Sequence, residues 1–285
     1  MRNLTEENLP DAVVAAMSGA KNLRFKEIMT SLVKHLHAFI REVHLTEAEW
    51  LTGIQFLTMV GKKCDEKRQE FILLSDTLGA TTMKDIVNNR KPPGVTEFTI
   101  LGPFYRPDAP ELPLSEDIAG NIPGEPTVVR GRVFAADGSP IPQAKLEVWQ
   151  SDAAGFYDLQ MPGIVTALRG IFYTNADGKY NFRTIRPSFY PIPHDGPVGQ
   201  MLIAMGRHPY RPAHIHFMIS AEGYQPVTTE LFVSGDPYLD SDAVFGVRES
   251  LIVKFVRHES EEEAERLNIS TPFYTVDYDF VLEPM

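Results

Sequence analysis

The sequence predicts a mainly β protein with an α-helical N-terminal part, divided into a helical domain over residues 1–99 and an antiparallel β-sandwich over residues 100–285. Three observations favour this fold class. Apolar residues recur at helical spacings through the first ninety positions, short alternating segments follow from residue 127 onward, and a proline-rich stretch separates the two patterns. Since no helix-length segments lie between the alternating ones, we expect antiparallel rather than parallel strands.

The predicted helices come first. TEAEW (46–50) has a capping-box pattern ahead of a second helix. Asp65 is the expected cap of a third helix that ends at Gly79, and a shorter fourth segment follows Thr81. The basic, proline-bearing stretch NNRKPPGV (88–95) then ends the helical pattern. The first and strongest helix has an apolar stripe with spacings of three and four: Leu23, Phe25, Ile28, Leu32, Leu36, Phe39, Ile40 and Val43.

The predicted strands follow the proline-rich stretch. Turn sequences such as ADGS (136–139) and NADG (175–178) separate them, and the acidic run ESEEEAER (259–266) predicts a solvent-exposed helical turn. Six segments alternate or run apolar over short lengths, as strands do: TVVRGRVF, AKLEVWQ, GKYNFRTI, AHIHFMIS, TTELFVSG and ESLIVKFV.

Composition excludes several classes of protein. The chain has 27 basic and 38 acidic residues, and the resulting charge of −11 argues against a nucleic-acid partner. No apolar run approaches the roughly 18 residues that a membrane span needs, and the start MRNLTEENLPDAVV lacks the apolar core of a signal peptide. The single cysteine, Cys64, cannot form an internal disulfide, and nothing near it resembles a catalytic base. We therefore expect a cytoplasmic protein.

Two pairs of histidines have the same spacing, His35 with His37 in KHLHAF and His214 with His216 in AHIHF. Side chains two positions apart lie on one face of a strand but about 200° apart around a helix. The first pair falls in a predicted helix, so its imidazoles should point in opposite directions. The second pair falls in a predicted strand, where one metal ion can bridge both rings. The strand pair is therefore the candidate metal site, with two ordinary core or surface histidines as the alternative.

Spacing alone does not identify the remaining ligands of this candidate site. Two histidines and one carboxylate bind ferrous iron in some oxygenases, but Glu222 lies six positions beyond His216, in the expected turn after the strand. One thiol is too few for a structural zinc site. Phenolates are hard, anionic ligands that favour ferric iron, and six tyrosines remain as candidates: Tyr105, Tyr157, Tyr173, Tyr180, Tyr190 and Tyr210.

Several long segments resemble the intradiol ring-cleaving dioxygenases. The likeness implies an iron enzyme that opens an aromatic 1,2-diol and incorporates both atoms of O2. The segments PIPHDGPVG and YLDSDAVFGVR (238–248) are most similar to the hydroxyquinol 1,2-dioxygenase branch. The other segments that resemble the family are EVWQSDAAGFYD (147–158), IRPSFYPIPHDGPVG (185–199), GRHPYRPAHIHFMISAEGYQPVTTELF (206–232), QEFILLSDTLG (69–79) and ILGPFYRPDAPELPL (100–114).

The resemblance implies one Fe(III) per subunit, bound by Tyr157, Tyr190, His214 and His216. Tyr190 matches the ligand that leaves the metal when substrate binds. Arg211 matches the family's active-site arginine, a fixed cation for charge that develops on the ring. The substrate-binding residues implied by the likeness are Leu73, Asp76, Ile100, Leu101, Gly102, Pro103, Phe104, Ile192, Pro193, Arg211 and Val244.

The substrate implied by the resemblance is hydroxyquinol (benzene-1,2,4-triol), with 3-hydroxy-cis,cis-muconate or maleylacetate as the product. The alternative is catechol or a chlorocatechol, which would give cis,cis-muconate. Asp76 is expected to accept a hydrogen bond from the third hydroxyl group, unless it is a helix-end or ion-pair residue. Glu230 departs from the family, which usually has glutamine or histidine there, and should repel a diolate unless it is protonated or faces a cation such as Arg211. A sandwich module that binds zinc weakly is the interpretation from another class.

The helical part has no chemistry of its own. Its apolar stripe resembles the helical dimer interface of the family, so we expect a homodimer formed through the N-terminal helices. The resemblance also hints at a lipid at that interface. The expected small-molecule partners are an aromatic diol or triol and O2, and neither nucleic acid nor a membrane is expected.

Overall fold

The computed structural model describes residues 2–66, 68–164 and 166–285. By its internal contacts the chain divides into two compact units, Met1–Lys62 and Lys63–Met285. The domain boundary between residues 99 and 100 stays a prediction. The α-helices in the described part of the chain are α1 (Leu9–Ala16), α2 (Leu23–Val43), α3 (Glu47–Lys63), α4 (Glu70–Thr77), α5 (Ala80–Asn88), α6 (Pro197–Ala204) and α7 (Glu261–Leu267).

The first unit is helical. Helix α2 begins where Asn22 Oδ1 accepts a hydrogen bond from Phe25 N at 2.9 Å, which satisfies one of the free N–H groups of the first turn. The capping box predicted at the start of α3 is present, since Glu49 Oε2 accepts from Thr46 N at 2.9 Å. The apolar stripe of α2 faces solvent in a single chain: Leu23, Phe25, Ile28, Leu32, Leu36, Phe39, Ile40 and Val43 are all exposed.

The second unit contains two five-stranded sheets and one two-stranded ribbon. The first sheet has the order β10-β11-β1-β12 with β4 also paired to β1, the second has the order β3-β2-β7-β8-β9, and β5 pairs with β6. The strands are β1 (Pro126–Ala135), β2 (Lys145–Gln150), β3 (Arg169–Tyr173), β4 (Lys179–Ile185), β5 (Tyr190–Pro191), β6 (Tyr210–Arg211), β7 (His214–Ser220), β8 (Val227–Val233), β9 (Ile252–Val253), β10 (Val256–His258), β11 (Phe273–Asp277) and β12 (Phe280–Leu282).

Apolar side chains of both five-stranded sheets join one buried core. Val129 of β1 and Phe182 of β4 belong to the same cluster as Leu146 of β2 and Phe217 of β7. Most strand pairs are antiparallel, as expected, but β1 pairs in parallel with β11 and with β12, and β8 pairs in parallel with β9. A parallel pair needs a long crossover connection, and the chain between β1 and β11 is long enough to supply one.

Some local expectations differ from the structure. The segment ESLIVKFV is not one strand: a 3-10 turn at Glu249–Leu251 precedes β9, and β10 then pairs in the other sheet. Helix α4 begins after Gln69 and not after Asp65, whose Oδ1 instead accepts a hydrogen bond from Arg68 N at 2.8 Å. Both expectations rested on the spacing of apolar residues. That spacing continues through the polar positions at which one element ends and the next begins, so it does not mark these boundaries. Within the described residues, no helix is both long and apolar enough to span a bilayer.

Candidate metal centre

Strand β7 places His214 and His216 side by side within the second sheet. The strand lies between β2 and β8, and the period-two alternation of a strand puts both imidazoles on one face. Their Nε2 atoms are 3.1 Å apart, and both rings are buried. Trp149 of β2 stacks on the His216 ring, with centroids 4.7 Å apart and 5° between the planes. Strand pairing and stacking together aim two imidazole nitrogens at one point.

Tyr157 and Tyr190 bring two phenol oxygens to the same point. Tyr157 Oη lies 3.3 Å from Tyr190 Oη and 3.3 Å from His214 Nε2, and Tyr190 Oη lies 3.4 Å from that nitrogen. The loop that carries Tyr157 approaches Tyr190 closely because Gly155 has a φ of +87°, and a Cβ there would lie 2.7 Å from Tyr190 Cβ. Both phenols are buried.

The other four candidate tyrosines have contacts of a different kind. Three phenol groups donate hydrogen bonds to other acceptors, and one ring stacks on another tyrosine. The contacts are Tyr105 Oη to Glu147 Oε1 at 3.1 Å, Tyr173 Oη to Glu111 Oε1 at 3.0 Å, Tyr180 Oη to Tyr278 O at 2.8 Å, and the Tyr210 ring against Tyr238 at 4.8 Å.

The four convergent donor atoms have the spacing of a coordination shell. The other three lie within 3.4 Å of His214 Nε2, as expected for neighbouring ligands about 2.0–2.1 Å from one cation. His214 Nδ1 donates to Pro212 O at 2.7 Å, so Nε2 directs a lone pair into the cluster. Burial raises the pKa of both phenols and lowers the pKa of both imidazoles. Because a cation would compensate the burial of phenolates beside neutral imidazoles, these residues fit a metal ion.

Glu230 lies beside the histidines but outside this donor set. Its Oε1 is 3.4 Å from His214 Nε2 and 3.4 Å from His216 Nδ1, the ring nitrogen that is not part of the cluster. His214, His216 and Glu230 by themselves have the composition of a metal site. However, Arg211 donates to both carboxylate oxygens, at 2.8 and 3.2 Å. Burial acts to raise the pKa of Glu230, but Arg211 and its other neighbours together outweigh burial and lower it.

Arg211 is held between two buried carboxylates. Besides Glu230, Asp242 accepts from Arg211 Nε at 3.1 Å and from Nη2 at 3.3 Å. Asp242 also accepts from Gly246 N at 2.8 Å, which ties this loop to the guanidinium. A Cβ at Gly246 would lie 2.8 Å from Arg211 Nη2. Arg211 Nη1 lies 3.3 Å from His214 Nε2, so the structure puts a fixed positive charge at the edge of the donor set.

Four of the predicted substrate-binding residues pack into one apolar cluster. Ile100, Ile192 and Val244 are buried in one cluster, and Leu73 packs against it. Asp76 lies one turn further along α4, is half-buried, and has a pKa that burial raises. The structure therefore puts one carboxyl group on the helix that contributes Leu73 to this cluster.

The loop around Gly102 brings further predicted residues to the donor atoms. Gly102 has a φ of +72°, and a Cβ there would lie 3.2 Å from His216 Cε1, so only glycine allows this approach without strain. Phe104 stacks on Tyr157, with centroids 4.3 Å apart and 17° between the planes. Exposure differs among the remaining predicted residues: Leu101 and Pro103 are exposed, and Pro193 is half-buried.

Sequence reasoning did not assign roles to Trp149, Asp158, Arg169 or Asp242. Asp158 directly follows Tyr157 in GFYD, and Asp242 lies in the quoted segment YLDSDAVFGVR, so adjacency to a candidate ligand or motif was an available signal. Trp149 likewise lies in the quoted segment EVWQSDAAGFYD (147–158). Arg169 gave no such signal, because its role depends on which strands become neighbours. Trp149 lies opposite His216 in one pairing and opposite Arg169 in the other.

Comparison with known families gives two matches that together include most of the chain. Residues 100–284 match the family described as "Dioxygenase", and residues 22–96 match "Catechol dioxygenase N terminus". The chain is 50% identical over 285 residues to a 6-chlorohydroxyquinol 1,2-dioxygenase of Cupriavidus pinatubonensis, covering 100% of this chain and 99% of the relative. It is 49% identical over 280 residues to a hydroxyquinol 1,2-dioxygenase of a Rhizobium species, covering 97% of this chain and 95% of the relative.

Solved structures give the same result at the level of the fold. A hydroxyquinol 1,2-dioxygenase from Pseudomonas putida superimposes with a TM-score of 0.93 at 47% identity, covering 98% of this chain and 99% of that one. A catechol 1,2-dioxygenase from an Acinetobacter species superimposes with a TM-score of 0.82 at 30% identity, covering 98% of this chain and 92% of that one. Both similarities extend over the helical unit as well as over the strands.

Proposed function

This chain belongs to the intradiol ring-cleaving dioxygenases, and we propose that it cleaves hydroxyquinol with O2 to 3-hydroxy-cis,cis-muconate, a tautomer of maleylacetate. One observation carries the proposal: two tyrosine oxygens and His216 Nε2 all lie within 3.4 Å of His214 Nε2. Relatives named for hydroxyquinol and its 6-chloro derivative, at 49% and 50% identity, support the choice of substrate.

The cofactor that we infer is one Fe(III) per subunit, held by Tyr157, Tyr190, His214 and His216. Phenolate is a hard anionic donor, and two phenolates with two neutral imidazoles leave little net charge on a buried trivalent ion. When bound, Fe(III) supplies a Lewis acid that holds a deprotonated diol and relaxes the spin restriction on its reaction with O2. All four side chains are buried, so their donor atoms are shielded from bulk water.

Tyr190 and Arg211 are the residues to which we assign catalytic roles. As a phenolate, Tyr190 Oη can accept a proton from a substrate hydroxyl group, so the chain itself supplies a base. Arg211 remains protonated at any working pH and can stabilise negative charge that develops on the substrate ring. Since Glu230 and Asp242 both hold the guanidinium, its position does not have to change during the reaction.

Asp76 is the residue that we assign to recognition of the third hydroxyl group. Its carboxyl is half-buried on α4, the helix whose Leu73 packs against Ile100, Ile192 and Val244. Hydroxyquinol has a hydroxyl group that catechol lacks. With catechol the half-buried carboxyl would lose this hydrogen bond, so the site would reject catechol more strongly than a purely apolar pocket could.

The test measures O2 uptake with hydroxyquinol, catechol and a chlorinated catechol. We expect a higher kcat/KM for hydroxyquinol, and we expect Asp76→Ala to reduce its preference over catechol by about 10- to 100-fold, the effect of one hydrogen bond to a charged group. Equal losses on both substrates would remove Asp76 from recognition. A higher kcat/KM for catechol or chlorocatechol in the unaltered protein would replace hydroxyquinol by that substrate. A colourless protein that binds only zinc would contradict the dioxygenase itself.

We also propose that the chain forms a homodimer through its N-terminal helices. The support is the apolar stripe of α2, where Leu23 is 77% and Phe25 is 58% exposed. Monomeric proteins seldom leave such a continuous apolar face in water. Sedimentation of the unaltered protein should give about twice the chain mass, whereas Phe25→Glu should shift the measured mass toward that of the monomer.

A chloroform extract of the purified dimer tests for the lipid that family resemblance suggests at this interface.

A further inference from the structure

A buried ion pair lies directly beside Tyr157. Asp158 and Arg169 are only 2% and 3% exposed. Arg169 Nε donates to Asp158 Oδ2 at 2.6 Å, and its Nη2 donates to Oδ1, so the pair is bidentate. Asp158 Oδ1 also accepts from Leu159 N at 2.9 Å, which fixes the turn that follows Tyr157. Neither residue has a part in the chemistry proposed above.

The same guanidinium holds the loop that covers the ring of Tyr157. Nη1 and Nη2 of Arg169 both donate to Phe104 O, each at 3.3 Å. The Phe104 ring lies almost flat on the Tyr157 ring, with 17° between the planes. One side chain of β3 therefore contacts both the residue after Tyr157 and the residue that packs on its ring.

The backbone and the ring of Tyr157 are fixed by different contacts. Tyr157 N donates to Gln160 Oε1 at 2.9 Å, and Gln160 N donates to Tyr157 O at 2.8 Å, so the backbone is held locally. The ring has Tyr190 against it edge-on, with 84° between the planes, and Phe104 flat against it. Displacement of Phe104 would therefore change the direction of Tyr157 Oη without unfolding the turn.

A gain in stability does not account for this ion pair. Desolvation of two buried charges offsets most of their attraction, so well-packed apolar residues would serve a purely structural purpose as well. The guanidinium instead offers a planar fork of five donors, which satisfies a carboxylate and a carbonyl at fixed angles. Lysine carries the same charge but cannot supply this geometry.

We propose that Arg169 is a positioning residue for the ligand Tyr157, whose phenol ring it orients through Asp158 on one side and Phe104 on the other. The inference rests on the proposed function, because it takes Tyr157 to be a metal ligand. It adds that the geometry of one ligand is set by a residue that touches neither metal nor substrate.

The test compares Arg169→Lys with Arg130→Lys after both proteins are loaded with Fe(III) alone. Arg130 is the control for the residue change and for the paired carboxylate. It donates to both oxygens of Asp277, at 2.7 and 3.3 Å, in an exposed ion pair on another sheet. We measure the phenolate-to-Fe(III) charge-transfer band, the rate at which a chelator removes iron, and the Tm. Arg169→Lys should shift the band and release iron about 10-fold faster, the lower end of what loss of an outer-shell partner costs in affinity. Arg130→Lys should have the same charge-transfer band and the same rate of iron release as the unaltered protein.

The outcomes distinguish an effect on the orientation of the Tyr157 ring from an effect on the stability of the fold. A lower Tm for Arg169→Lys with an unchanged band and unchanged iron release would overturn the inference, because a purely structural pair changes stability alone. If Arg169→Lys does not fold, Phe104→Leu decides, since it removes the stacked ring and leaves the ion pair: a shifted band supports the inference, and an unchanged band overturns it. If the unaltered protein takes up no iron, the proposed function fails and the inference fails with it.

Discussion

Two segments of this chain contain histidines at the same spacing and differ completely in what that spacing produces. In α2, His35 is exposed and His37 is half-buried, as expected for side chains on different faces of a helix. In β7, His214 and His216 place their Nε2 atoms 3.1 Å apart. The comparison teaches that two histidines at this spacing can turn both rings to one metal ion only on a backbone of period two.

A second difference concerns what surrounds each pair. The histidines of β7 are buried, and hydrogen bonds, a stacked tryptophan and two phenols fix their rings. The histidines of α2 lie among exposed apolar residues. A ligand must be held rigidly before a metal can bind tightly, since any ordering that binding still requires reduces the affinity. In β7 this order is already present in the protein without a metal.

The largest effect should come from removing one histidine from each segment. We expect His216→Ala to lose more than about 100-fold in iron affinity, since loss of a ligand costs more than loss of an outer-shell partner. The measurements are iron content per subunit and the intensity of the charge-transfer band. The matched variant His37→Ala should keep its iron and its turnover. Loss of iron from His37→Ala, or its retention by His216→Ala, would contradict the comparison.

The parts of this site that the sequence predicted are those that depend on local period. AHIHFMIS alternates, and it forms β7 with both imidazoles on one face. The convergence of Tyr157 and Tyr190 on this pair could not be derived from spacing. Tyr157 precedes β3 and Tyr190 begins β5, and the strands between them in the chain, β3 and β4, belong to different sheets. Only the likeness to a family singled these two out of six tyrosines, and their assignment as ligands stays a prediction.

The same limit applies to the fold. Five of the six predicted strand segments correspond to single strands, because each has an uninterrupted apolar or alternating pattern. The parallel pairing of β1 with β11 joins residues such as Val129 and Val276, which no local pattern connects. Asp242 lies in a quoted segment, but its contact with Arg211 could not be predicted, because that contact depends on the fold placing β6 beside the Asp242 loop.

A smaller effect should come from adding one methyl group in each region. A Cβ at Gly246 would lie 2.8 Å from Arg211 Nη2 and 3.1 Å from Asp242 Oδ2, so Gly246→Ala must displace the guanidinium. We expect a fall in kcat of about 10- to 100-fold, since a misplacement of about 1 Å can cost as much. Iron content should stay unchanged, because Arg211 is not a ligand. Steady-state O2 uptake with iron analysis measures both.

Gly53 of α3 is the matched control for Gly246. No described heavy atom outside the backbone of its own helix lies within 4 Å of a Cβ at Gly53. Gly53→Ala should therefore leave kcat unchanged and stabilise the helix by about 0.5–1 kcal/mol, because alanine loses less backbone entropy than glycine on folding. Unchanged kcat in Gly246→Ala would show that the position of Arg211 does not limit the reaction.

The smallest effect should come from removing one helix cap in each unit. Asn22 Oδ1 caps α2 at 2.9 Å from Phe25 N, and Ser260 Oγ caps α7 at 3.3 Å from Glu263 N. Each change to alanine should cost about 1 kcal/mol or less, because the N–H group that loses its partner remains accessible to water. Urea unfolding followed by circular dichroism at 222 nm measures this cost, and O2 uptake at 25 °C should be unchanged in both variants. A loss of turnover in Asn22→Ala alone, with iron retained, would mean that the helical unit affects the chemistry of β7. The division into a helical unit without chemistry and a strand-borne metal site would then be wrong.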